Sequence, residues 1–105
     1  MADAIRRKKG LRGSQKRFAF RLFVTGATHR SSKAITNLTD VCERYLPGQY
    51  DLDVIDIYQQ PELARGQQII AAPTLVKYFP LPAQRFIGDL SRTKELLVAL
   101  QLQPQ

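Results

Sequence analysis

The chain has 105 residues, of which 44% are hydrophobic and 24% are charged, a composition typical of one soluble globular domain with a modest core. Its longest apolar run, residues 69–76, contains a proline and is far shorter than the roughly 20 residues needed to cross a bilayer. One cysteine excludes an internal disulfide, and one cysteine with one histidine are too few for a metal site by themselves. A reducing, cytoplasmic setting is the simplest interpretation.

The net charge of +7 is concentrated at the N-terminus. Residues 1–21 carry eight basic side chains against Asp3 alone, whereas basic and acidic side chains balance in the rest of the chain. Residues 1–16 have few apolar groups, so they are predicted to form a disordered basic leader, followed by a folded domain at residues 17–105. Such a leader could hold nucleic acid or another polyanion through phosphate charge. The alternative is a solvated leader that aids solubility.

The first half of the domain is predicted to be strand, helix, strand. Residues 17–26, "RFAFRLFVTG", alternate apolar side chains on one face with a mixed second face, which indicates a strand. Residues 28–46 carry an apolar stripe at helical spacing, with Thr28 or Ser31 as N-cap and Pro47-Gly48 as the stop. Residues 50–58, "YDLDVIDIY", are again a strand. A connection of this length predicts a parallel pair with a right-handed crossover.

The second half is predicted to be helix, strand, strand, helix. A short helix begins at Pro61, the strands "PTLVKYF" and "QRFIGD" flank the short loop "PLPA", and a last helix follows Ser91 as N-cap. The short loop predicts that the two strands pair antiparallel. The resulting order, β-α-β-α-β-β-α in one α/β domain, is the thioredoxin order. Pro73, in Ala72-Pro73-Thr74, resembles the proline that precedes the third strand in thioredoxin-like folds, usually in the cis form. The alternative is an ordinary proline at the first residue of a strand.

No catalytic site is expected from the sequence. Thioredoxin chemistry needs a reactive thiolate at a helix N-terminus, and the matching segment here, "GATHRSSK", has no cysteine. Cys42 lies on the apolar stripe of the first helix and is interpreted as a core residue. His29 has no partner base or nucleophile nearby in the sequence. The chain is therefore predicted not to be an enzyme, and no cofactor or metal is implied.

Four segments together resemble the KaiB family: "FVTGATHRSSKAITNL", "LDVIDIYQQPELA", "IIAAPTLVKYFPLP" and "RFIGDLS". The resemblance covers most of the chain, from Phe18 to Leu102. It implies a non-enzymatic adaptor in circadian or stress signalling that binds the ring of a KaiC-type ATPase, with a KaiA-like protein or a sensor histidine kinase as further partners. It also implies a homo-oligomer, a dimer or tetramer, and two arrangements of the C-terminal half. One arrangement is thioredoxin-like, and the other is a self-associated ground state.

The resemblance also implies a set of partner-binding residues. Pro61-Glu62-Leu63-Ala64 matches the segment that faces the ATPase in the family, while Lys33 and Arg85 match basic positions on the first helix and the fourth strand. For Lys33 and Arg85 a plain solvated face is the alternative.

A second set of positions concerns the choice between the two arrangements. Pro73, Gly88 and Asp89 match the family and are expected to set backbone geometry. Ala99 stands where a glycine is usual in clock members, and Gln101 where an aspartate is. Because glycine in a helix costs about 1 kcal/mol relative to alanine, Ala99 is expected to favour the thioredoxin-like arrangement if the alternative does not hold it in a helix. The hypothesis is a chain that switches less readily than clock members do.

Overall fold

The computed structural model describes residues 6–9, 18–66, 69 and 73–102. The predicted order of strands and helices is confirmed over these residues, with one further strand at the N-terminus. The elements are β1 (Arg6–Lys9), β2 (Phe18–Val24), α1 (His29–Tyr45), β3 (Tyr50–Asp56), α2 (Pro61–Gly66), β4 (Thr74–Phe79), β5 (Gln84–Ile87) and α3 (Thr93–Ala99).

The strands form one five-stranded sheet in the order β1-β3-β2-β4-β5. As predicted, β2 and β3 are parallel and β4 and β5 are antiparallel. β4 pairs antiparallel with β2, so that β2 lies at the centre of the sheet. The remaining pair, β1 with β3, is antiparallel as well. The chain thus has the mixed sheet of a thioredoxin-like domain, extended by β1 at one edge.

The leader differs from the prediction at Arg6–Lys9, where the expectation of disorder is wrong. These residues form β1, with Arg7 opposite Asp53 and Lys9 opposite Asp51 in the register. Without β1, the outer edge of β3 would present a row of unpaired backbone N–H and C=O groups, and a strand of any composition can pair with such an edge. Residues 1–5 and 10–16 of the predicted leader lie outside the described residues.

Helices cover the two faces of the sheet and form two apolar clusters. On the first face, α1 and α3 pack against alternate residues of β2, including Phe20 and Leu22, and against Leu52 of β3. On the second face, Ala64 of α2 packs with Phe23, Ile55 and Val76. The alternation predicted for β2 is therefore confirmed, and its mixed second face reflects cover on both sides.

The ends of the helices show which predicted caps form. Thr28 caps α1, because its Oγ1 accepts a hydrogen bond from the backbone N–H of Ser31 at 3.1 Å. The prediction that Ser91 caps α3 is wrong: the N-cap is Arg92, without a side-chain hydrogen bond. The backbone N–H of Ser91 instead donates to Asp89 Oδ1 at 3.1 Å, and Leu90 has a left-handed φ of 63°. This turn delays the start of α3 to Thr93.

α3 ends in a Schellman motif. Gln101 has a φ of 61°, and its N–H donates to the carbonyl of Val98 at 3.0 Å. The N–H of Leu102 donates to the carbonyl of Leu97 at 2.8 Å, and both leucines belong to the larger apolar cluster. Glycine is the usual residue at the left-handed position of this motif. Here Gln101 occupies that position, and the two hydrogen bonds and the packing of Leu97 and Leu102 in the apolar cluster hold it there.

Candidate partner-binding surface

The short helix α2 has one anchored face and one open face. Ala64 is buried, with 7% of its surface exposed, and Leu63 is half-buried; both pack against the smaller apolar cluster. Pro61, Glu62 and Arg65 are exposed. Of the four α2 residues predicted to contact a partner, the structure thus makes Pro61 and Glu62 accessible, whereas Leu63 and Ala64 hold the helix on the sheet.

Arg85 lies on the same face of the sheet as α2. It is directly opposite Val76 in the antiparallel pair of β4 and β5, and directly opposed residues point to the same side. Val76 belongs to the cluster beneath α2. Arg85 is exposed, and Ile87, two residues further along the same side of the strand, is 70% exposed. We call the exposed residues Pro61, Glu62, Arg65, Arg85 and Ile87 the α2 surface.

A cation–π contact lies on the face of the sheet that α2 covers. The guanidinium carbon of Arg21 lies 5.2 Å from the centre of the Tyr78 ring, and Tyr78 packs against the cluster beneath α2. Burial raises the pKa of the Tyr78 hydroxyl, and the charge of Arg21 opposes this shift. Sequence reasoning missed this pair, although a basic residue on the second face of a predicted central strand was a signal for it.

Lys33 lies on α1, on the opposite face of the domain from α2. Its Nζ is 3.7 Å from Asp89 Oδ2, in a partly exposed ion pair. Asn37, one helical turn further along α1, donates from Nδ2 to the backbone carbonyl of Asp89 at 2.8 Å. Hydrogen bonding from Ser91, with a smaller contribution from the charge of Lys33, lowers the pKa of Asp89. Lys33 and Asp89 therefore join α1 to the segment between β5 and α3.

Pro73 and Gly88 meet where β4 begins and β5 ends. The carbonyl of Pro73, whose side chain is fully buried, accepts a hydrogen bond from the N–H of Gly88 at 2.9 Å. Gly88 has a φ of 116°, a conformation that side chains rarely allow. The peptide bond between Ala72 and Pro73 lies outside the described residues, so its predicted cis form stays a prediction. Cis bonds are present before Pro80 and Pro82, in the β4–β5 loop.

Ala99 and Gln101 lie at the C-terminal end of α3, away from the α2 surface. Ala99 is the last residue of the helix, and its carbonyl accepts a hydrogen bond from Gln84 Nε2 at 3.1 Å. This contact ties the end of α3 to the start of β5. The positions expected to bias the fold state are thus split between two junctions, one at Gly88 and Asp89 and one at Ala99 and Gln101.

The groups considered for redox or metal chemistry are not arranged for it. Cys42 has none of its surface exposed, and burial, with a smaller effect of the Glu43 charge, raises the pKa of its thiol to about 12. His29 is exposed at the first turn of α1. Among the residues that the structure describes, no three histidine, cysteine or acidic side chains are grouped to hold a metal ion. Within the same residues, no helix is long and apolar enough to cross a membrane.

The order of the strands, the helices on both faces and the Pro73–Gly88 junction define a thioredoxin-like domain whose first helix begins without a cysteine pair. The chain belongs to the KaiB family, because the KaiB domain matches residues 21–102.

Known KaiB proteins match this chain over a span of similar length. The chain is 40% identical over 89 residues to the circadian clock protein KaiB3 of Synechocystis, and the matched region covers 85% of this chain and 87% of the relative. It is also 40% identical over 89 residues to the circadian clock oscillator protein KaiB of Prochlorococcus marinus strain MIT 9312, covering 85% of each chain.

Solved structures confirm the fold. The N-terminal domain of SasA from Synechococcus elongatus matches with a TM-score of 0.66 and 20% identity, over 90% of this chain and 93% of that domain. Mitochondrial thioredoxin 3 of Saccharomyces cerevisiae matches with a TM-score of 0.64 and 17% identity, over 81% and 79% of the two chains. At these identities the two matches concern the fold alone.

Proposed function

We propose that this chain is a non-enzymatic KaiB-like adaptor of a circadian or stress-signalling system, and that it binds the ring of a KaiC-type ATPase. The observation that carries the proposal is the match of the KaiB domain to residues 21–102 on a thioredoxin-like fold. Cys42, buried and with its pKa raised to about 12, supports a role in binding and not in thiol chemistry, which requires an accessible thiolate.

We assign the α2 surface to the contact with the ATPase. It combines an exposed arginine, Arg85, with the 70% exposed Ile87 and the charged ends of α2. Arginine is enriched among the residues that supply most of the binding energy of protein interfaces, and burial of an exposed apolar side chain such as Ile87 adds to it. Leu63 and Ala64 act by holding α2 in place. Lys33, on the other face and paired with Asp89, is assigned to a separate contact or to the domain itself.

Charge-reversal variants test the assignment. Equilibrium binding of the full chain to the purified KaiC-type ATPase of its source, with ATP present, is compared for Glu62→Arg, Arg85→Glu and Lys33→Glu. Arg44→Glu is the matched control, because Arg44 is exposed on α1 and its ion pair among the described residues is the i,i+4 pair with Asp40. We expect Glu62→Arg and Arg85→Glu to weaken binding at least ~10-fold, or about 1.4 kcal/mol, and the control to change it less than ~2-fold.

The possible outcomes distinguish a failure of the proposed adaptor function from a failure of the proposed contact surface. Absence of binding by the unmodified chain contradicts the adaptor function itself. Binding that is retained by both α2-surface variants contradicts the surface, and a loss confined to Lys33→Glu moves the contact to the α1 face.

We further propose that the chain forms a dimer or tetramer and that a KaiA-like protein or a sensor histidine kinase shares or competes for the bound complex. Light scattering after size exclusion measures the oligomeric state, because one chain has a mass of 11.9 kDa and a dimer or tetramer has a multiple of it. Competition between this chain and the thioredoxin-like domain of the kinase for the ATPase measures the second.

The basic charge of residues 1–21 favours a second candidate function, the binding of nucleic acid or another polyanion. Its signature is an affinity that falls steeply with salt, because each phosphate contact releases a counterion. Loss of that affinity on deletion of residues 1–16, which also removes β1, would assign it to the leader if the shortened chain still unfolds cooperatively. Binding to DNA or RNA that is absent at about 150 mM salt contradicts this candidate.

A further inference from the structure

Lys77 is a buried lysine outside the surfaces already described. It lies on β4, opposite Phe20 of β2 and Gln84 of β5, on the face that α1 and α3 cover, and only 5% of its surface is exposed. Among the described residues, its amine makes no hydrogen bond or ion pair. The aliphatic stem accounts for most of this burial, and the amine opens into a cleft that solvent reaches. Partial loss of hydration lowers the pKa of Lys77.

Lys77 lines a cleft of about 450 Å³ at one end of the domain. The cleft lies between the C-terminal end of α1, the β4–β5 loop and the end of α3. Its apolar wall includes Phe18, Tyr45 and Leu100, and its polar lining includes Gln49 and Gln84. Lys77 is charged, and no aspartate or glutamate is found among the described residues that line the cleft.

The chemistry of the lining selects one class of ligand. An ammonium group that is partly desolvated and unpaired gains from an anionic partner, and a carboxylate can accept hydrogen bonds from both an ammonium group and an amide. The apolar wall would cover a hydrocarbon body. A phosphate dianion is a poorer fit, because Lys77 is the one cationic side chain among the described residues that line the cleft.

We propose that this cleft binds a small organic carboxylate, whose charged group pairs with Lys77 Nζ and whose apolar body lies against Phe18, Tyr45 and Leu100. The ligand would contact α1, the β4–β5 loop and α3 at once. Because anything that binds one arrangement preferentially stabilises it by mass action, such a ligand would favour the thioredoxin-like arrangement of the C-terminal half.

An NMR titration of the full chain tests the proposal, with phenylacetate as the probe and phenylacetamide as its neutral counterpart. We expect phenylacetate to give saturable shifts at Gln84 and at the Lys77 side chain, with a dissociation constant of about 1–10 mM for a ligand of this size. The pKa of Lys77, followed through its Cε signal, should rise on saturation. Lys77→Met should weaken binding at least ~10-fold, and Lys94→Met, which removes an exposed lysine of α3, should leave it unchanged.

Several results would overturn the proposal. These are the absence of saturable shifts, equal binding of phenylacetamide, equal binding of inorganic phosphate, or unchanged binding by Lys77→Met. If Lys77→Met does not fold, Lys77→Gln replaces it as the uncharged variant, and the comparison of phenylacetate with phenylacetamide on the unmodified chain decides the question without any variant.

Discussion

Replacement of Gln101 by glycine should stabilise the domain. Gln101 occupies the left-handed position of the Schellman motif that ends α3, with a φ of 61°, a conformation that costs a residue with a side chain about 1–2 kcal/mol. Glycine removes this cost but gains about 0.4–1 kcal/mol of freedom in the unfolded chain. The difference predicts a gain of about 0.5–1 kcal/mol in the free energy of unfolding, or about 2–6 °C in Tm for a domain of this size.

Urea unfolding followed by circular dichroism measures this gain, with Gln101→Ala as the control. Alanine keeps the Cβ that makes the left-handed conformation costly, so Gln101→Ala should lie within about 0.5 kcal/mol of the unmodified chain. Both variants retain the backbone hydrogen bonds from residues 101 and 102 to α3. If the glycine variant is no more stable than the alanine variant, the conformation of Gln101 is not a source of strain and the reasoning is wrong.

Three further predictions follow from single side chains. Ala99→Gly should lower the stability of α3 by up to about 1 kcal/mol and raise the population of any second set of amide signals in NMR spectra; unchanged spectra and stability would contradict the bias assigned to Ala99. Because folding lowers the pKa of Asp89 from its ordinary value, its contribution to stability is present above that ordinary value and is lost as pH falls through the folded value. The stability difference between Asp89→Asn and the unmodified chain should therefore shrink below about pH 4, and a constant difference would refute the lowered pKa of Asp89. Cys42 should react with iodoacetamide at pH 8 at least ~100-fold more slowly in the folded chain than in urea, and equal rates would show that its thiol is accessible.

The alternating and helical patterns in the first half of the sequence predicted which residues lie on each face of the sheet. Phe20 and Leu22 face α1 and α3, whereas Phe23 faces α2, because the period of a strand fixes the side on which each residue lies. The same rule could not place Arg6–Lys9, since four consecutive basic residues carry no alternation. β1 forms through backbone pairing with the open edge of β3, and backbone pairing leaves no signal in side-chain type.

Sequence reasoning identified candidate contact residues but not their accessibility. The segment that includes Leu63 and Ala64 was predicted as a unit, yet a helix of six residues must bury part of itself to stay on a sheet, and these two residues are that part. Lys33 was predicted as a basic surface position, and its pairing with Asp89 links residues far apart in the chain. Lys77 gave no signal at all, because a lysine within an apolar strand becomes notable only when the cleft beside it is known.

A pull-down from the lysate of the source organism, with ATP present and with bound proteins identified by mass spectrometry, tests the central claim most directly. The full chain is compared with a chain that lacks residues 1–16. We predict that both retain a KaiC-type ATPase, although the shortened chain also lacks β1. Retention of nucleic acid or its binding proteins by the full chain alone, with no ATPase on either chain, would contradict the adaptor function.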